Sequence, residues 1–190
     1  MTLPELRLAR LPASWYRRDV LVVARELVGC ALVHGTRAGM IVETEAYLGP
    51  DDLASHSRFG PTARTSVMFG PGGVSYVYLC YGIHQMFNIV TGGEGEGQAV
   101  LIRAVAPLVG LPEDSAVGRG PGKVTTALRL DRKHDRRDLA HGELFVAAAA
   151  PVRTPRIARG PRIGVAYAGE WAARPWRFWW QDHPAVSRAR

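Results

Sequence analysis

Glycine and proline interrupt this chain so often that a bundle of long helices has no room to form. The sequence holds 21 glycines and 13 prolines in 190 residues, well above the usual combined share of about 12%. Both weaken helix interiors, glycine through backbone entropy and proline through its missing N–H. The spacing predicts short elements joined by many turns. One helix fits between interruptions, over residues 18–28. Asp19 suits its N-cap, Val20, Val23, Ala24 and Leu27 form its apolar stripe, and Gly29 stops it. Residues 30–34 and 40–47 read as paired strands around a turn at 35–39. Residues 50–57 read as a short helix opening with acids. Residues 74–81 are aromatic and β-branched, hence a strand. Residues 87–91 and 99–104 read as a hairpin joined by a Gly-Glu run. Gly120-Pro121-Gly122 opens a helix over 123–130. Residues 144–148 and 163–167 read as further strands, and Trp171, Trp176, Trp179 and Trp180 as core or lid packing. Short connections favour antiparallel pairing, so the expected class is α+β in a single domain over residues 1–190.

Charge narrows the partners. The formal net charge is +7, and 22 of the 24 basic residues are arginine. Residues 1–95 balance 8 basic against 8 acidic groups, whereas residues 96–190 carry 16 against 9. An arginine-rich surface suits a polyanion, because the guanidinium fork matches phosphate oxygens. A solvated basic face, or the arginine bias of a GC-rich genome, gives the same composition. No apolar run reaches membrane-spanning length, and residues 1–10 lack the apolar stretch of a secretory leader. Two cysteines, Cys30 and Cys80, form neither a disulfide framework nor a metal-ligand spacing. The expected setting is a reducing cytoplasm, and no metal or other cofactor is expected.

Several residues carry chemistry. If Val42-Glu43-Thr44-Glu45-Ala46-Tyr47 is a strand, Glu43, Glu45 and Tyr47 share one face and Val42, Thr44 and Ala46 the other. Carboxylates on a core-like strand need partners. Backbone amides or arginines would satisfy Glu43, whereas Glu45, where the strand enters a Gly-Pro loop, is the better catalytic candidate. His56 taken alone is more often a structural than a functional residue. Tyr76 and Tyr78 alternate to one side and Tyr81 to the other, beside Gly82, where a tyrosine can project outward. These pieces suit work on a nucleobase. Reaching a base inside a duplex means extruding it, filling the gap and stacking the base on aromatic rings. A carboxylate can then activate water at the sugar carbon. The two lysines, Lys123 and Lys133, offer no convincing nucleophile, which favours water over a Schiff base.

Six ordered blocks then make the sequence specific. They are Val42–Pro50 with His56-Ser57-Arg58; Met68–Gly72; Tyr76-Val77-Tyr78 with Tyr81–His84 and Asn88; Leu101–Ala104; Gly120–Lys123; and Pro161–Gly164 with Ala168–Ala172. Together they resemble the signature of the alkyladenine (3-methyladenine) DNA glycosylases over about residues 16–187. The resemblance implies a single compact domain with a curved antiparallel β-sheet, peripheral helices and a protruding β-hairpin. It implies a monofunctional enzyme of base-excision repair, without lyase activity. Its partner would be double-stranded DNA holding alkylated or deaminated purines, its location the nucleoid, with no obligate protein partner. By resemblance Glu45 is the general base and Arg103 holds the water and Glu45. Tyr47 and His56 meet one face of the flipped base and Tyr78 the other. Asn88 crowds the purine 2-position, and Ile163 touches the water through its backbone. Tyr81 is the intercalating wedge, and Gly82, Ile83, His84 and Lys123 meet the DNA backbone. The chain departs from the family at Met86, where relatives often have cysteine, and in a slightly longer 92–97 loop.

Two readings compete. A non-catalytic module could bind nucleic acid through the same basic face and tyrosines, and it would not need Glu45 or Arg103. A nuclease or a hydrolase of small nucleosides would call for a metal-binding carboxylate cluster or for no basic half, respectively.

Overall fold

The computed structural model describes residues 8–148 and 155–187. Residues 1–7, on which most of the expectation about a leader falls, lie outside them. Nine strands form one curled antiparallel sheet: β1 (Ala9–Arg10), β2 (Ala31–His34), β3 (Arg37–Tyr47), β4 (Ser75–Cys80), β5 (His84–Thr91), β6 (Gln98–Val109), β7 (Leu144–Ala148), β8 (Ile157–Gly160) and β9 (Arg177–Trp180). The main path runs β1-β7-β2-β3-β6-β5-β4. The eleven-residue β3 is its spine. β6 follows one edge, while the other edge takes β2 first and β9 after it, opposite Glu43 to Glu45.

The helices are α1 (Ala13–Tyr16), α2 (Val20–Glu26) and α3 (Pro121–Leu128). The Asp19 carboxylate accepts the Leu21 and Val22 amides at the start of α2, so two orphan donors are satisfied as an N-cap requires. Val20, Val23 and Ala24 of α2 and Val124 and Leu128 of α3 are buried with Ile41, Phe87, Ile89, Val100 and Ile102 of the sheet. Both helices therefore fill one face, and the α+β expectation holds. Among the described residues no helix is long and apolar enough to cross a membrane.

Several boundaries differ from the sequence reading. The β2–β3 turn is only Gly35 and Thr36. The helix expected over 123–130 is α3, starting two residues earlier with proline in its first turn. Residues 50–55 form turns rather than a helix, with Asp52 accepting the Leu48 and Ala54 amides. A 3-10 helix follows at His56–Phe59. Residues 163–165 are not a strand, and residues 166–173 form two 3-10 turns broken at Gly169, where φ is +58°. Gly164 has φ +78°, and the Ile163 N–H points at a side chain instead of a ladder partner. The tryptophan-rich end supplies β9, paired with β8. Neither had been expected as a strand.

Candidate active site

Two β-bulges set the geometry of the site. Ile41 pairs with Val105 and Glu43 with Ala104, so Val42 is an extra residue on β3. Thr44 pairs with Ile102, so Arg103 is an extra residue on β6. A bulge leaves one residue unpaired and re-aims its neighbours. Thr44 and Ala46 follow the expected alternation: Thr44 donates to the Ala24 carbonyl of α2, and Ala46 joins the helix-side core. Val42 does not. It packs with Ala104, Ala106 and Ala185 in a separate cluster, which corrects its placement beside Thr44 and Ala46.

Glu43, Glu45 and Arg103 meet as a result. Arg103 Nε donates to Glu43 Oε1 at 3.2 Å, and its Nη1 lies 3.3 Å from Glu45 Oε1. Glu43 also accepts from Arg177 Nη1 at 3.0 Å and from the Ser187 amide at 2.7 Å. It is thus fully partnered by arginines and a backbone amide, as its position suggested. Glu45 accepts the Ile163 amide on Oε1 at 2.7 Å and the Tyr47 hydroxyl on Oε2 at 3.0 Å. Neither carboxylate has any solvent exposure. A carboxylate offers about four acceptor positions; two on Glu45 take these hydrogen bonds and Arg103 lies beside Oε1, which leaves room for an incoming donor. Burial pushes the Glu45 carboxyl above its usual range, against the opposing pull of Arg103, the Ile163 amide and the Tyr47 hydroxyl.

Glu45 lies at the wall of a cavity of about 390 Å³. Of the residues singled out in the sequence, Tyr47, His56, Tyr78, Tyr81, Asn88, Arg103 and Ile163 also line it. Met86 lines it too. His56 and Tyr78 pack edge to face, with ring centres 4.5 Å apart. No ring fits between them, so they form one wall rather than opposite jaws, which corrects the sandwich inferred from sequence. His56 Nδ1 is hydrogen-bonded to the Tyr76 hydroxyl at 2.9 Å. Burial, with Arg64 and Arg58 nearby, lowers its pKa to about 4. Asn88 sits across from Tyr76 in the β4–β5 ladder and donates to the Tyr76 carbonyl at 3.1 Å.

The β4–β5 connection is a tight turn at the edge of the cavity. The Ile83 amide donates to the Cys80 carbonyl at 3.2 Å, with φ +49° at Tyr81 and +73° at Gly82. Positive φ at both central positions is the type I′ pattern, which suits glycine and penalises a bulky side chain. Tyr81 is nevertheless 90% exposed, and Ile83 beside it is 73% exposed. His84 is also exposed. Lys123, near the start of α3, donates to the Ala116 carbonyl at 3.2 Å and does not line the cavity.

Sequence reasoning named Tyr76, which also lines the cavity, without giving it a role, and passed over Tyr167 and the Asp52–Arg162 pair. Tyr167 lines the cavity and donates to the Ala54 carbonyl. Asp52 and Arg162 form a buried ion pair beside Tyr47. Arg162 stands next to Ile163 in one of the blocks already noted, and Asp52 follows a Gly-Pro pair, which were the available signals. Among the described residues no three His, Cys, Asp or Glu side chains converge on one point.

A buried carboxylate, an arginine beside it and an aromatic-walled cavity make a pocket suited to a flat, ring-bearing group. The family model described as methylpurine-DNA glycosylase matches residues 14–184, and the chain belongs to that family. A Myxococcus xanthus (strain DK1622) protein is 53% identical over 94% of this chain and 93% of its own length. Proteins of Anaeromyxobacter sp. (strain Fw109-5) and Legionella pneumophila (strain Corby) are 52% and 45% identical, over 95% and 94% of this chain and 93% and 98% of their own. All three carry the name "Putative 3-methyladenine DNA glycosylase".

Proposed function

We propose that the chain, acting as one domain, excises alkylated or deaminated purines of the 3-methyladenine type from double-stranded DNA. Glu45 accepts a proton from water, the water oxygen bonds to the sugar C1′, and the N-glycosidic bond breaks with its electron pair leaving on the base. The products are the free base and an abasic sugar. Arg103 and the Ile163 amide fix the Glu45 carboxylate, and Arg103 offsets charge where the water binds. The observation that carries this reading is Glu45: fully buried at the cavity wall and held by the Ile163 amide, the Tyr47 hydroxyl and Arg103.

The base enters the cavity after flipping, and Tyr81 fills the gap it leaves. Its face rests on the His56–Tyr78 wall, with Tyr47 as the facing ring. Neutral His56 is suited to a cationic alkylpurine, which a protonated imidazole would repel, and such a base also stacks well on tyrosine. Its positive charge makes it a good leaving group. Asn88 limits the purine 2-position. Gly82, Ile83, His84 and Lys123 meet the DNA backbone around the hairpin. Neither lysine lines the cavity, which supports direct water attack over a Schiff-base lyase route.

The test uses duplex DNA that is methylated or carries hypoxanthine, in EDTA. Wild type should release free base and leave strands that break only on alkali treatment. Glu45→Gln should bind the DNA and release base roughly a thousandfold more slowly, within the usual range for a lost general base. Binding without release from every lesion would instead favour a nucleic-acid-binding module.

A further inference from the structure

The excision chemistry uses neither partner of the most deeply buried ion pair in the described structure. Asp52 and Arg162 have no side-chain exposure, and Arg162 Nη1 and Nη2 reach the two Asp52 oxygens at 2.5 and 2.9 Å. Such a pair is a poor source of stability, because desolvation offsets most of the attraction. Its effect lies in the geometry it imposes. Asp52 accepts the Leu48 and Ala54 amides at 3.2 and 3.0 Å, pinning the segment between Tyr47 and His56. Arg162 donates to the Ala46 carbonyl at 3.0 Å and to the Trp171 carbonyl at 3.3 Å. Its guanidinium carbon lies 4.8 Å from the Tyr47 ring centre and 4.9 Å from that of Trp176. The next amide along the chain, that of Ile163, is the one bound to Glu45.

We propose that Asp52 and Arg162 are the positioning pair of the general base: together they hold the Ile163 amide on Glu45 and the Tyr47 ring at the cavity wall, without touching the reacting atoms. This rests on the reading of Glu45 as base. Both groups the pair holds favour the ionised carboxylate, one by its N–H and the other by its hydroxyl. Loosening the pair therefore leaves Glu45 harder to ionise and the base less well seated. Protein packing transmits such shifts, and a misplacement of about 1 Å can slow chemistry roughly a hundredfold.

Two gentle substitutions separate positioning from folding. Arg162→Lys keeps a cation but loses the two-pronged fork. Asp52→Asn keeps an oxygen for one of the two backbone amides but loses the charge. For wild type and both variants, thermal unfolding, binding to lesion DNA, single-turnover base release against pH, and the Glu45 carboxyl titration by carbon-13 NMR are measured together. The expected result is folded protein, retained binding, release slowed roughly a hundredfold at neutral pH, and a Glu45 midpoint moved upward. Slower release with an unmoved midpoint, a moved midpoint with unchanged release, or failure of both variants to fold would each overturn the proposal. If wild type releases no base, the assigned reaction fails separately, and the Glu45 midpoint alone decides whether the pair positions that carboxylate.

Discussion

Glu45 has to be ionised to take a proton from water, yet burial favours its neutral form. Base release should therefore rise with pH through a midpoint above the ordinary carboxylate value of about 4.3. A rate–pH profile measured on saturating lesion DNA tests this, and an acid limb at or below 4.3 would contradict it. His56, with its pKa lowered to about 4, should add no limb between pH 5 and 8. The same upward shift has a stability consequence of fixed sign. A group whose folded pKa is raised contributes stability that is present below its unfolded pKa and lost as pH rises through the folded one. Ionised Glu45 is thus a cost to folding at neutral pH. Glu45→Gln, which stays neutral, should melt at least as high as wild type at pH 8, with the gap closing as pH falls. Thermal scans across pH 5–8 would show it, and a Gln variant that melts lower throughout would refute it. Tyr81 pays an analogous local cost: a bulky residue at φ +49° is strained by of order 1–3 kcal/mol. Strain kept at a 90% exposed side chain fits a residue selected for where it points. Tyr81→Ala should therefore slow release from duplex DNA more than from single-stranded DNA, where no gap opens. Equal slowing in an excision assay on both substrates would remove the wedge role.

At the scale of elements, the β4–β5 hairpin and the paired bulges place the chemistry. Gly82 at φ +73° closes the type I′ turn, and a β-branched substitute would be strained there. Gly82→Val should disorder the tip and mimic Tyr81→Ala in the duplex assay while leaving Glu45 chemistry on single strands intact. Much of this level was legible in the sequence. The capped helix after Asp19, the strand through Glu43 and Glu45, and an outward Tyr81 beside Gly82 all follow from local spacing. What alternation could not show was the bulges. A strict period of two put Val42 with Thr44, whereas an extra residue on each strand turns Val42 away and brings Arg103 onto both glutamates. Residues 163–165 were misread for a related reason. Their β-like composition is overridden by one amide committed to a carboxylate more than a hundred positions earlier. The same distance hid the Asp52–Arg162 pair.

At the scale of the molecule, the excess of basic groups in residues 96–190 should make association with DNA strongly dependent on ionic strength. For Glu45→Gln, which binds without turning over, log Kd against log salt should be a straight line, with a slope of about 0.9 per phosphate contact. A flat line in a fluorescence titration would remove the polyelectrolyte reading. Family membership was legible from six ordered blocks, because they cluster where side chains do chemistry. The long-range closure of the sheet was not, since nothing local announces that β9 will lie against β3. That closure also has a consequence in time. Glu43 draws its partners from Arg177 and Ser187, 134 and 144 positions downstream, and Glu45 depends on an amide 118 positions away. On a ribosome the spine and its carboxylates would emerge well before these later partners, with Arg103 alone of the arginines to answer them in the interval. A growing chain that had not yet delivered residues 163–187 would lack the contacts that hold both carboxylates, so the site would assemble late in synthesis.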